Sequence, residues 1–220
     1  MPVRSEHWVQ ADMYRTASNW TSRVLLRAGG HRLNDGAHTP AWKLRSWAAS
    51  GRQLFGTVRE PCAWLCSYWD YLHVHGRHEP LKAISGGSTD FDAYVRGSLA
   101  GAFRTEDAAL GPLSGGEGDL WSRFTRIFYG SPDSESWAVD VLVDCSQVRE
   151  GLSRMGLADT LPPKNVSPPQ RKAAREGLMT PELRRLVYAT CGPLAASLGY
   201  HAPFQPSDSV LLRFPAREAA

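Results

Sequence analysis

Apolar and polar positions along this chain change period several times, and each change predicts an element. Trp8 to Tyr14 reads as a strand, with Gln10 and Asp12 interrupting its apolar character. From Asn19 to Ala28 the apolar residues Trp20, Val24 and Leu25 share one helical face, and Gly29-Gly30 is a stop signal. Pro40 to Ala49 predicts a second helix, and Gln53 to Val58 a short buried strand ending at Arg59-Glu60-Pro61. Pro61 then opens a helix reaching about His75, with Trp64, Tyr68, Tyr71 and Leu72 on one stripe. Further helices are predicted at Phe91 to Leu99, Leu120 to Phe128 and Gln147 to Met155, and a strand at Ala138 to Val143. Four prolines between Leu161 and Lys172 predict a loop with a basic end. Thr180-Pro181-Glu182 supplies a cap, a proline at the first helical position and an acid at the positive end, predicting a helix over Pro181 to Ala189. Strands and helices in alternation argue for α/β layers around a parallel sheet.

Length and composition narrow this picture. A chain of 220 residues with 42% hydrophobic content fits one domain, residues 1–220, with an ordinary core. The Gly/Ser/Pro-rich stretches at Ser85 to Thr89, Gly111 to Gly118 and Ser131 to Ser136 are too short to separate domains. A formal charge of +3 is too mild for a nucleic-acid binder, yet it suits an enzyme with an anionic ligand. Cys62, Cys66, Cys145 and Cys191 form no CxxC pair and are expected as reduced thiols, which matches a cytoplasmic enzyme. The first fifteen residues lack a signal-peptide run, and no stretch reaches 18 apolar residues, so no membrane span is expected.

Two stretches carry candidate chemistry. Tyr14-Arg15-Thr16-Ala17-Ser18-Asn19-Trp20-Thr21-Ser22 turns from the first predicted strand into a helix. Amide groups at a helix start, the positive end of its dipole, four hydroxyls and the Arg15 guanidinium together suit a phosphate or sulfate. The same composition also serves as a plain helix cap. In the second stretch Arg59 ends a strand and Ser67 lies six residues past Pro61, roughly 9 Å along the helix at about 1.5 Å per residue. Both side chains can address one phosphate; Arg59 in a surface ion pair and Ser67 bonded to its own backbone is the competing reading.

Together the two stretches resemble the PAPS-dependent sulfotransferase family, in its bacterial or carbohydrate-acting branch. Arg15-Thr16-Ala17-Ser18-Asn19-Trp20 is similar to that family's 5′-phosphosulfate loop, [KR]-S-G-T-T-W, and Arg59 to Ser67 keeps the spacing of its 3′-phosphate site. The resemblance implies a P-loop-like three-layer fold with a central parallel sheet flanked by helices. It implies 3′-phosphoadenosine 5′-phosphosulfate (PAPS) as donor and no metal. Arg15 would contact the bridging oxygen and sulfuryl group, and Thr16, Ala17, Ser18 and Asn19 would cradle the 5′-phosphate. Trp20 would stack on adenine, although it also has a place on its helix's apolar face. Arg59 and Ser67 would bind the 3′-phosphate, with Lys164, Arg171 or Lys172 reaching it from a late basic loop. Ala17 departs from the usual glycine, and Glu60 stands where Asp or Asn is common.

His38, in Gly36-Ala37-His38-Thr39-Pro40, resembles the family's catalytic histidine, and an imidazole with an ordinary pKa near 6.5 can accept the proton of an acceptor hydroxyl. His73-Val74-His75-Gly76-Arg77-His78-Glu79 can be read as a metal site, its imidazoles and carboxylate lying close in sequence, yet it falls at a predicted helix end where the dipole alone favours cationic side chains. The acceptor is expected to be a small molecule, sugar or lipid shaped by Leu81 to Asp90, Arg104 to Asp119 and the rings of Trp42, Trp69 and Trp121. A P-loop-like nucleotide kinase is an alternative reading, although it needs a phosphate-loop lysine and magnesium ligands that no motif in the sequence supplies. A nucleotide-binding module without catalysis is the other reading.

Overall fold

A computed structural model describes residues 1–33, 38–49, 51–101, 118–131, 136–157, 168–201 and 211–213. The fold is α/β with a mixed sheet. Its strands are β1 (Val3–Arg4), β2 (Trp8–Gln10), β3 (His31–Arg32), β4 (Gln53–Val58), β5 (Val141–Asp144) and β6 (Leu211–Arg213), in the spatial order β3-β1-β2-β4-β5-β6. The expected parallel sheet is present at the centre, where β2 pairs with β4 and β4 with β5. It is corrected at both edges: β1 runs antiparallel to β2 and β3, and β6 antiparallel to β5. Strands of two or three residues are too short to show an alternating pattern, which is why the edges were not legible. In β4 every residue after Gln53 is buried, as a central strand covered on both faces requires.

The helices among the described residues are α1 (Ser18–Arg27), α2 (Ala41–Ala48), α3 (Pro61–Val74), α4 (His78–Ser85), α5 (Phe91–Ala100), α6 (Leu120–Tyr129), α7 (Val148–Arg154), α8 (Pro169–Gly177) and α9 (Pro181–Ser197). The sequence pattern missed α4, a short helix that buries only Leu81 and Ile84. It also read Pro169 to Lys172 as loop. These residues begin α8, because Pro169 occupies the first helical position, where a missing N–H costs nothing. Helix α9 continues past Ala189 and contains Pro193, since the apolar stripe Leu183, Val187, Tyr188, Cys191 and Ala195 runs on.

The chain forms two compact units, each assembled from separated stretches. The first comprises Met1–Arg59, Thr125–Val166 and Ser207–Ala220, and the second Glu60–Phe124 and Ser167–Pro206. The first holds the sheet, and its core gathers Val3, Trp8, Trp20, Val24, Leu25, Phe55, Val141 and Val143. Gly56 in β4 has no room for a side chain: a Cβ there would collide with the Tyr129 ring. The second unit is helical. Trp64 of α3 stacks on Tyr68 with ring centroids 5.0 Å apart and packs against Phe124 at 5.1 Å. A Cβ at Gly97 of α5 would collide with the Ile84 carbonyl of α4, so glycine sets how closely these two helices approach.

Cys62, Cys66 and Cys191 are free and buried. Burial pushes their thiols up, that of Cys66 to about 12, so they are inert core residues rather than nucleophiles. No helix among the described residues is long and apolar enough to cross a membrane.

Candidate functional site

The link from β2 to α1 holds two left-handed non-glycine residues. The ladder between β2 and β4 ends as Ala11 N–H donates to the Phe55 carbonyl at 2.8 Å, and residues from Asp12 onward turn toward α1 instead of extending the strand to Tyr14. Arg15 and Ala17 both adopt the left-handed conformation, at φ 63° each. For an L residue that conformation costs about 1–2 kcal/mol. Two such residues within three positions persist only where the surroundings fix them, and such strain clusters at ligand sites.

The surroundings here are a buried polar network. Thr16 Oγ1 donates to the Met13 carbonyl at 3.0 Å and accepts from Thr57 Oγ1 at 3.1 Å. Tyr129 donates its hydroxyl to the Thr57 carbonyl at 2.6 Å, and burial pushes this phenol up, so it stays a neutral donor. Gln10, wholly buried, donates through Nε2 to the Ser18 carbonyl at 3.0 Å, and its Oε1 accepts from Ser22 Oγ at 2.9 Å. Thr21 Oγ1 donates to the Ala17 carbonyl at 3.1 Å. The hydroxyls of Thr16, Thr21 and Ser22, expected to face a ligand, therefore hold the turn. The helix start itself has no side-chain cap. What the turn offers an anion is the amide groups of Ser18 and Asn19 and the half-buried Arg15, the Trp20 amide donating to the Ala17 carbonyl at 3.0 Å.

Ala17 stands where the resembled loop has glycine, and it accepts the left-handed backbone instead of avoiding it. Ala17→Gly is expected to leave stability unchanged or raise it by up to about 1 kcal/mol, strain relief being offset by the freer unfolded chain. Ala17→Val, β-branched at positive φ, is expected to cost about 1–3 kcal/mol. Urea unfolding of the two variants checks both.

His38 lies against this turn. Its ring stacks on Tyr14 at 3.6 Å between centroids, and Phe128 meets it edge-on at 6.3 Å. Nδ1 is 3.3 Å from the Asp12 carbonyl and 3.6 Å from Asp12 Oδ2. The backbone of His38 is also left-handed, at φ 59°. Burial lowers its pKa below the ordinary 6.5, against a smaller opposing pull from the Asp12 charge, so the ring is neutral at pH 7. The structure thus brings Arg15, Thr16, Ala17, Ser18, Asn19 and His38 together in one unit. Asp12, Gln10 and Tyr129 complete that group and were not singled out from the sequence; the signal was the two polar residues inside an apolar strand.

The remaining candidates are distributed differently. Trp20, carried over as an adenine-stacking ring, is 3% exposed and packs in the core of the first unit. Arg59 follows β4, belongs to the first unit and donates through Nη2 to Cys145 Sγ at 3.1 Å. Ser67 belongs to the second unit and is buried on α3. At the start of that helix Glu60 acts as the cap, its carboxylate accepting from the Cys62 and Ala63 amides at 3.0 and 2.6 Å and from the Tyr188 hydroxyl at 2.7 Å. Glu60 is therefore a helix cap in this chain. Arg171 lies on α8 and donates to Asp70 Oδ1 from Nε at 3.0 Å and Nη2 at 2.8 Å, while Lys172 is 3.9 Å from Glu176. Lys164 lies outside the described residues, as does most of Arg104 to Asp119. His73 stacks on Trp69 at 4.8 Å and meets His78 at 6.0 Å, and among the described residues no group of three or more His, Cys, Asp or Glu could hold a metal.

Compared with protein-family models, with curated proteins and with solved structures, the chain found no match.

Proposed function

We propose that this chain binds PAPS and transfers its sulfuryl group to a hydroxyl or amine of a small molecule, sugar or lipid. The observation that carries the reading is the turn Arg15 to Asn19, whose two strained residues precede an uncapped helix start beside a neutral histidine. A strained turn held by buried hydrogen bonds keeps amide groups pre-set for an anion, so little ordering is required on binding. The P-loop-like layering, the 3′-phosphate role of Arg59 and Ser67, and the contributions of Lys164, Arg171 and Lys172 belong to the same proposal.

In the proposed reaction the acceptor oxygen attacks sulfur in line as the bond from sulfur to the 5′-phosphate oxygen breaks. The electron pair of that bond stays on the phosphate, where the α1 amides and Arg15 stabilise the growing charge. The acceptor proton passes to His38. The products are the sulfated acceptor and 3′-phosphoadenosine 5′-phosphate. Titration calorimetry with that nucleotide, together with label transfer from ³⁵S-PAPS across an acceptor panel, tests the reading. Binding is expected, weakened in Arg59→Ala and Ser67→Ala; absence of binding in the wild-type chain overturns it. Binding without transfer to any acceptor favours the non-catalytic nucleotide module.

A further inference from the structure

We infer that Asp12 is the positioning residue for His38, holding the proton on Nδ1 so that Nε2 is the atom that accepts the acceptor's proton. This rests on the proposed role of His38 as base. Two oxygens of Asp12, the backbone carbonyl at 3.3 Å and carboxylate Oδ2 at 3.6 Å, lie on the Nδ1 side of the ring. A carbonyl oxygen can only accept, so this pairing requires the proton on Nδ1. The carboxylate at 3.6 Å is beyond a hydrogen bond and acts through its charge.

Asp12 is 2% exposed, and its Oδ1 has no hydrogen-bond partner among the described residues. Its Oδ2 is paired with the Met1 amino group at 3.1 Å, and the carboxylate gains a second favourable partner when a positive charge develops on the His38 side. That happens when His38 takes the proton: the O–H bond of the acceptor breaks, the Nε2–H bond forms, and the imidazolium faces Asp12 as the acceptor oxygen bonds to sulfur. Among the described residues the Met1 amino group is a further charged group at this pair. Tyr14 covers the ring's face and Phe128 its edge. The Tyr129 phenol, pushed up by burial and by the Asp12 charge, remains neutral.

The test is long-range ¹H–¹⁵N correlation spectroscopy on the full chain with ¹⁵N-labelled histidine, His38 being assigned by its loss in His38→Gln. The wild-type chain is expected to show the Nδ1–H tautomer at neutral pH. In Asp12→Asn, titration is expected to place the His38 pKa lower still, because the attractive charge is gone. With ³⁵S-PAPS the same variant is expected to lose about tenfold or more in kcat, part of the 10²–10⁴-fold a general base supplies, with KM for PAPS held. An Nε2–H tautomer in the wild-type chain overturns the inference without any variant having to fold. An unchanged His38 pKa in Asp12→Asn overturns it as well. If the spectra are as expected while His38→Ala turns over at the wild-type rate, the pairing stands and the role of His38 as base falls.

Discussion

Asp70→Ala is expected to lower the unfolding free energy by about 3 kcal/mol, and to do so by releasing α8. Helix α8 has no apolar stripe: of its nine residues only Arg175 is buried. It is held to α3 by charge. Asp70 Oδ1 accepts from Arg171, and Oδ2 accepts from Arg175 Nη1 at 3.2 Å. The Arg171 side chain is 41% exposed and its pair is screened by water, so it contributes little. The Arg175 side chain is 10% exposed, and its guanidinium would remain in a poorly solvated place after losing the carboxylate. Removing one partner of a buried pair costs about 3–5 kcal/mol, and the half-exposed Arg171 puts the expectation at the lower end. Asp70→Asn, keeping shape and one acceptor oxygen, is expected to cost less. Urea unfolding gives the total, and amide exchange over residues 169–177 shows whether the loss is local to α8.

His38→Ala is expected to reduce kcat for sulfuryl transfer by about 10²–10⁴-fold while nucleotide affinity stays near that of the wild-type chain. The sign of the pH dependence follows from the lowered pKa. In the proposed reaction the neutral ring is the working form, so kcat of the wild-type chain should fall only as pH drops below the ordinary value of 6.5. Between pH 7 and 8 it should be flat with respect to this group. Label-transfer rates from pH 5 to 8 check this, and a limb above 6.5 would exclude His38 as the group responsible.

The sequence made the parallel centre of the fold legible because burial leaves a strong mark there. Gln53–Val58 is predicted and found with the same bounds, its apolar run having no helical alternative of that length. Helix α3 is predicted from Pro61 to about His75 by its proline and aromatic stripe and found over Pro61–Val74. The edges were illegible because β1 and β3 consist of two residues each and take their conformation from the strands they pair with. At the candidate site, residue types were legible and their roles less so. Thr16, Thr21 and Ser22 read as ligand donors, yet their hydroxyls are bonded within the protein, since a left-handed alanine and arginine need that support. Asp12 and Gln10 looked like interruptions of a strand. Only the neighbours they meet from elsewhere in the chain, His38, Ser18 and Ser22, show why they are polar.

The threading of the chain has a consequence for its synthesis. β4 pairs with β5 across more than eighty intervening residues, and β6 joins β5 only at Leu211–Arg213. A ribosome-bound chain can form helices of the second unit early, but it cannot complete the sheet until Leu211–Arg213 has emerged. Until then β5 presents an open edge to neighbouring chains, so the late arrival of a three-residue strand closes off a route to aggregation.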